Sequence, residues 1–300
     1  MIRKTLIVFL LLTMGYQCIL WLIPPFGNFQ HQWQENKVIA ERYLYGPRQE
    51  TVVLGTSLAT RLDMQQLPGV YKMTFGGLGI FDGLALLLAK DSFPTRVFIE
   101  TNFLLRQPNQ VLIASLQNPM VQKLKRHFSI FRIENQPVGM VIEGVKVLRR
   151  WVKEEPLQKI TTPFVSTDTM LHVDYSEDTP LMRGDFFAYM MQMEAQKFAR
   201  APDSIRLHAQ VALLQSQVAA LHALGVRVYL FEMPIEQELQ QLAVPTAIRE
   251  ALHKAFANNP DITLLPAFSS PYYTEDGLHL GWKEAERFTK EFGNCIKKAP

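Results

Sequence analysis

Thr51-Val52-Val53-Leu54-Gly55-Thr56-Ser57-Leu58 decides how the rest of the chain is read. A short apolar, β-branched run reads as a buried strand over 51–56, with a serine at its tip and a helix from about Leu58 to Gln66. The arrangement repeats. Val70–Phe75 reads as a strand closed by Gly76-Gly77-Leu78-Gly79, and Asp82–Lys90 as a helix. Arg96–Glu100 is a third strand, ending at Thr101-Asn102. Further on come a helix over Ser204–Leu224 capped by Gly225, a strand over Val226–Phe231 and a helix over Ile235–Phe256 that contains one proline, Pro245. A short strand at Ile262–Leu265 and a helix from Trp282 to about Lys297 complete the pattern. Strands alternating with helices predict a parallel sheet with helices on both faces.

The chain has 300 residues, 48% of them apolar, which is room for one α/β domain with a proper core and a short extra element. The net charge of +3, with no basic run interleaved with aromatics, points away from nucleic acid. Two cysteines, Cys18 and Cys295, imply neither a disulfide framework nor zinc spacing. His31, His127, His172, His208, His222 and His253 are scattered, so no metal is expected. The glycines at 76–79 fall wrongly for a dinucleotide fingerprint, and no cofactor is expected.

Met1-Ile2-Arg3-Lys4 precedes an uncharged run from Thr5 to Ile23, stopped by Pro24-Pro25. At ~1.5 Å per residue the run is just long enough for a bilayer core of ~30 Å. No small-x-small cleavage site follows it, so an uncleaved signal anchor is expected over 1–26, crossing the bilayer through residues 5–23. Arg3 and Lys4 would hold the N-terminus in the cytoplasm and put the remainder outside. Residues 27–50 read as a stalk, helical over 30–45, and 51–300 as the α/β domain. Within that domain, about 106–200 is an irregular helical insertion with no clear strand. Its basic residues, among them Lys123, Lys125, Arg126 and Arg132, read either as a solvated helix face or as contact with an anionic membrane, polymer or protein.

Asp276-Gly277-Leu278-His279 lies two hundred residues beyond Ser57. A serine hydroxyl is a poor nucleophile unless a base lies within hydrogen-bond reach and a third group orients that base. Asp276 and His279 could supply both from one loop. Ser57, Gly76, Asn102 and the Asp276–His279 loop each follow a strand, and sites in open parallel sheets form beyond the carboxyl ends of the strands. Each also has a plainer role: Ser57 as a helix N-cap, the glycines as a tight turn, Asn102 as a cap, Asp276-x-x-His279 as a capped turn.

These four blocks, in this order, resemble the SGNH (GDSL) hydrolase superfamily over about 50–300. Gly55-Thr56-Ser57-Leu58 matches the nucleophile block with Thr56 in place of aspartate. Thr74-Phe75-Gly76-Gly77-Leu78-Gly79 matches the second block with Thr74 in place of asparagine. Glu100-Thr101-Asn102 matches the third only at Asn102, and Asp276-Gly277-Leu278-His279-Leu280 matches the last fully. The resemblance implies an SGNH-like (flavodoxin-like) α/β sheet and a Ser57-His279-Asp276 triad. It also implies an oxyanion hole from the Ser57 and Gly76 N–H groups and the Asn102 side chain.

With an N-terminal anchor, the chain is similar to the membrane-bound SGNH proteins of alginate O-acetylation and of teichoic acid D-alanylation in bacteria. That resemblance implies a periplasmic O-acyltransferase on the inner membrane, with an acyl-serine intermediate, a polysaccharide acceptor and a multispanning membrane-bound O-acyltransferase as partner. The same residues serve a carbohydrate esterase with water as acceptor. A noncatalytic SGNH-fold subunit of a modification complex is the third expectation.

Overall fold

The computed structural model describes residues 2–22, 32–136, 184–257, 259, 262–268 and 271–299. In chain order the elements are α1 (Ile2–Leu22), α2 (Gln32–Tyr45), β1 (Thr51–Gly55), β2 (Val70–Thr74), α3 (Ile80–Leu88), β3 (Arg96–Glu100), α4 (Gln110–Gln117) and α5 (Pro119–His127). After these come α6 (Asp185–Phe198), α7 (Ser204–Ala223), β4 (Arg227–Phe231), α8 (Ala243–Phe256), β5 (Ile262–Leu264) and α9 (Trp282–Lys298). The chain divides into two compact units, one of Met1–Gly46 with Ala114–Tyr175 and one of Pro47–Ile113 with Ser176–Pro300.

The second unit is a mixed α/β fold around a five-stranded, fully parallel sheet of order β2-β1-β3-β4-β5. Strand alternation sorts the two faces. Val53, Phe98 and Tyr229 share one rung and one face. There Phe98 stacks on Tyr229 at 4.6 Å and meets Phe292 of α9 edge-on at 5.7 Å. Leu54, Ile99, Leu230 and Leu264 form the next rung and face the other way. α3 presses so close to this face that a Cβ on Gly83 would come within 2.8 Å of Leu54, and α7 packs against β4. Burying each such side chain contributes roughly 1.5–3 kcal/mol.

Two expected helices form differently. In place of a helix from Leu58 to Gln66, the chain makes two single 3-10 turns, Ala59–Arg61 and Met64–Gln66. Asp63 separates them: its carboxylate accepts the Gln65 N–H (3.0 Å), and its own N–H donates to Thr289 Oγ1 (3.0 Å). The kink lets Leu58, Leu62, Met64 and Leu67 all enter one core. The run 235–256 likewise breaks into a turn at Gln237–Gln240 and α8. Pro245 falls in the first turn of α8, where its missing N–H leaves no helical bond unmade.

In the first unit, α1 is a single apolar helix long enough to cross a membrane. Leu6 through Leu12 are all exposed, so apolar surface runs round the whole circumference. α2 forms where a helix was expected, and Val38, Ala40, Glu41, Tyr43 and Leu44 on it are buried. Glu41 takes the Lys125 ammonium at 2.5 Å and the Ile133 N–H at 2.8 Å, and Arg42 meets Glu134 at 2.5 Å. Regular structure in the described parts of 106–200 is helical. The basic positions Lys146, Arg149, Arg150 and Lys153 lie outside the described residues.

Candidate active site

β1 ends at Gly55, and Thr56-Ser57-Leu58 turn off its tip. The turn is held from beneath by Glu100, the last residue of β3 and fully buried. Its carboxylate accepts the Thr56 N–H at 2.7 Å and the Thr56 hydroxyl at 2.8 Å. A Cβ on Gly55 would lie 2.8 Å from the same carboxylate, so only glycine allows this approach. Burial raises the Glu100 pKa, opposed by the bonds from Thr56 and Ala59 and by the charge of Arg106. Thr60 Oγ1 donates to Ser57 O at 2.5 Å. Among the described residues, Ser57 Oγ and the Ser57 N–H have no hydrogen-bond partner.

Gly76 arrives by register. Gly55 pairs with Thr74, and the Phe75 N–H donates to Gly55 O (3.0 Å), which brings Phe75-Gly76 alongside Thr56-Ser57. Gly77, at φ 72°, turns the chain toward α3. Asp82 then accepts the Gly79 N–H (3.1 Å), and Arg106 donates to Leu78 O (3.0 Å), bracing the loop from the β3 side. Asn102 stands two residues past β3. Its Oδ1 accepts the Met233 N–H (2.8 Å) and its Nδ2 donates to Met233 O (2.9 Å), joining the exits of β3 and β4. One Nδ2 hydrogen remains for another acceptor.

Asp276 and His279 sit on a closed loop, bridged at Thr274 and Leu280 and tied by Glu275 N–H to His279 O at 2.8 Å. Gly277 makes the turn at φ 90°. Glu236, just beyond β4, anchors the loop: its carboxylate accepts the Thr274 hydroxyl (3.0 Å), and its N–H donates to Gly277 O (3.0 Å). Asp276 Oδ2 lies 2.7 Å from His279 Nδ1, and Oδ1 accepts the N–H groups of His279 (2.7 Å) and Leu278 (3.0 Å). Burial works against the Asp276 charge, but the His279 ring and these N–H groups outweigh it and hold the pKa at about 2. An ionised carboxylate only accepts, so Nδ1 carries the proton and Nε2 presents its lone pair.

A tether joins the two motifs. Arg61, four residues past Ser57, meets Glu275 at 2.8 Å, and Glu275 directly precedes Asp276. Beside them, Leu58, Asn102, Phe198, Ile235, Ile248 and Leu278 line a recess of about 380 Å³, open solvent included. The structure thus closes the Asp276–His279 pair and gathers Ser57, Gly76 and Asn102 at one sheet edge. Among the described residues it makes no Ser57–His279 hydrogen bond. The supports supplied by Glu100, Glu236 and Arg61 went unread in the sequence. The one available signal was Glu100, a charge ending the apolar run Val97-Phe98-Ile99.

No family model, no curated protein and no solved structure matches the chain.

Proposed function

We propose that this chain is a serine-dependent O-acyltransferase of the SGNH type, anchored in a bacterial inner membrane through residues 5–23 and acting outside it on a cell-surface polysaccharide. Ser57 Oγ attacks an acyl carbonyl, in the first instance acetyl, and its proton passes to His279 Nε2. That proton leaves with the donor's leaving group, and the acyl group stays as an ester on Ser57. A sugar hydroxyl then attacks the ester, giving its proton to His279, which returns it to Ser57 Oγ. The Ser57 and Gly76 N–H groups and the remaining Nδ2 hydrogen of Asn102 are the donors for the oxyanion; losing one such donor costs about 10²–10³ in rate. A multispanning membrane-bound O-acyltransferase is the proposed acyl source.

The observation that carries the reading is the 2.7 Å bond between an ionised Asp276 and His279 Nδ1, on a loop tethered to the serine's own turn. A purely structural turn has no need of an oriented imidazole with its outer nitrogen free to act as a base.

A noncatalytic subunit of a modification complex is the second reading. It is favoured by the unmade Ser57–His279 bond and by the engagement of Asn102 with Met233. Exposure of the detergent-solubilised full chain to a fluorophosphonate, followed by peptide mass spectrometry, separates the two. A covalent adduct on Ser57, absent in Ser57→Ala, is expected of the enzyme; an unmodified Ser57 in folded protein favours the scaffold. Challenging an acetylated Ser57 with oligosaccharide then tells transfer from hydrolysis.

A further inference from the structure

We propose that Pro119–Phe131 is a membrane foot, lying in the outer headgroup region beside the exit of α1. Met120, Leu124, Phe128 and Phe131 enter the acyl boundary, while Lys123 and Arg126 meet anionic headgroups. The proposal rests on α1 crossing the bilayer but on no step of the chemistry above.

The argument begins with the polar break in α1. Gln17 is only 7% exposed, although Met14 and Ile19 on the same helix are open. Its Nε2 donates to Ser129 Oγ (2.9 Å), and its Oε1 accepts the Ile130 N–H (3.0 Å). Tyr16 OH donates to Asn135 O (2.8 Å). Polar groups in hydrocarbon must be satisfied by protein, and here residues 129–135 satisfy them. Gln17 lies five residues before the end of α1, or about 8 Å at ~1.5 Å per residue. Ser129 and Ile130 are fixed at that depth, and amphipathic surface helices embed their apolar faces by about 5–10 Å.

The segment leading to this contact has the matching surface. Met120 and Leu124 lie one turn apart on α5, and Phe128, which caps the helix with its N–H on Leu124 O (2.9 Å), continues the apolar surface past its end. Met120 is 83%, Phe128 50% and Phe131 46% exposed, and the two phenylalanine rings meet edge-on at 6.3 Å. α5 carries no acidic residue. Lys125 turns inward to Glu41, leaving Lys123 and Arg126 on the exposed side. Apolar side chains flanked by exposed cations, held beside a spanning helix, suit anionic lipid.

The test places a nitroxide spin label on the full chain, in a Cys18→Ser, Cys295→Ser background, at Leu124→Cys, Phe128→Cys or Phe131→Cys. Leu11→Cys and Gln241→Cys serve as references, in vesicles of phosphatidylethanolamine and phosphatidylglycerol. The expected result is that oxygen reaches the foot labels severalfold better than a water-soluble nickel chelate does, as at Leu11, with the preference reversed at Gln241. Lys123→Glu with Arg126→Glu should draw the Phe128 label toward water and leave Leu11 unchanged. Lipid signals at Leu11 with water signals at 124, 128 and 131 would overturn the foot, leave the anchor standing, and mark the face for a protein partner. Water signals at Leu11 as well would overturn both.

Discussion

Asp276 and Glu100 carry opposite electrostatic loads, and each makes a separate prediction. In an unfolded chain an aspartate titrates near ~3.9; in the fold Asp276 sits at about 2. Its charge therefore stabilises the fold above about pH 4, and that contribution, on the order of 2 kcal/mol, is lost as the pH falls from about 4 toward 2. Asp276→Asn should lower the urea midpoint at neutral pH and converge with the parent near pH 2. Glu100 is raised, so the folded state holds its proton more tightly than the unfolded one. Stability then declines as pH rises above the ordinary glutamate value of ~4.3. Glu100→Gln retains an acceptor for the Thr56 N–H and should flatten that decline. Glu100→Ala leaves buried donors unpaired, at about 1–3 kcal/mol for each, and should slow fluorophosphonate labelling of Ser57 by displacing its turn. The Asp276–His279 pair was legible as a candidate because residue type and spacing in one short loop suffice to bring the two together. Glu100 was not, because its role arises only when β3 registers beside β1.

Elements were legible where hydrophobic period dominates. β3 forms over Arg96–Glu100 as read, and the other strands differ by a residue or less at each end. The reading failed where a polar side chain redirects the backbone, as Asp63 does between the two turns that replace the expected helix. The Asp276–His279 loop shows the same principle at closer range. Gly277 holds φ 90°, and a Cβ there would meet Met191 Sδ at 2.6 Å and Leu239 at 3.1 Å. Gly277→Ala thus combines left-handed strain with a clash and should cost about 1–3 kcal/mol. Calorimetry measures that cost, and the His279 ring resonances should report a weakened bond to Asp276. Arg61→Gln is the contrasting case. The pair it breaks is partly exposed and worth about 0–1 kcal/mol to the fold. Melting should barely change, while Ser57 labelling slows if the tether positions the loop.

At the scale of the molecule, the sequence conveyed the sheet-bearing unit far better than the N-terminal one. A parallel sheet announces itself through alternating strands and helices. The first unit is assembled from pairs distant in sequence, Gln17 with Ser129 and Glu41 with Lys125, and no local periodicity records such partners. What the sequence does carry for this unit is charge asymmetry. Arg3 and Lys4 lie in the first turn of a helix that otherwise exposes apolar side chains all round, and such cations tend to stay on the cytoplasmic side. The orientation we propose on this ground has α1 running outward and the unit bearing Ser57 and His279 facing away from the cytoplasm. Gln241→Cys, exposed on that unit, should react with a membrane-impermeant maleimide in intact spheroplasts and be protected in inverted vesicles. Cys18, exposed on the flank of α1, should stay unreactive in both, since lipid withholds the reagent. Labelling of Gln241→Cys only in inverted vesicles would place the sheet in the cytoplasm. An extracellular glycan could not then be the acceptor, even if Ser57 proves nucleophilic.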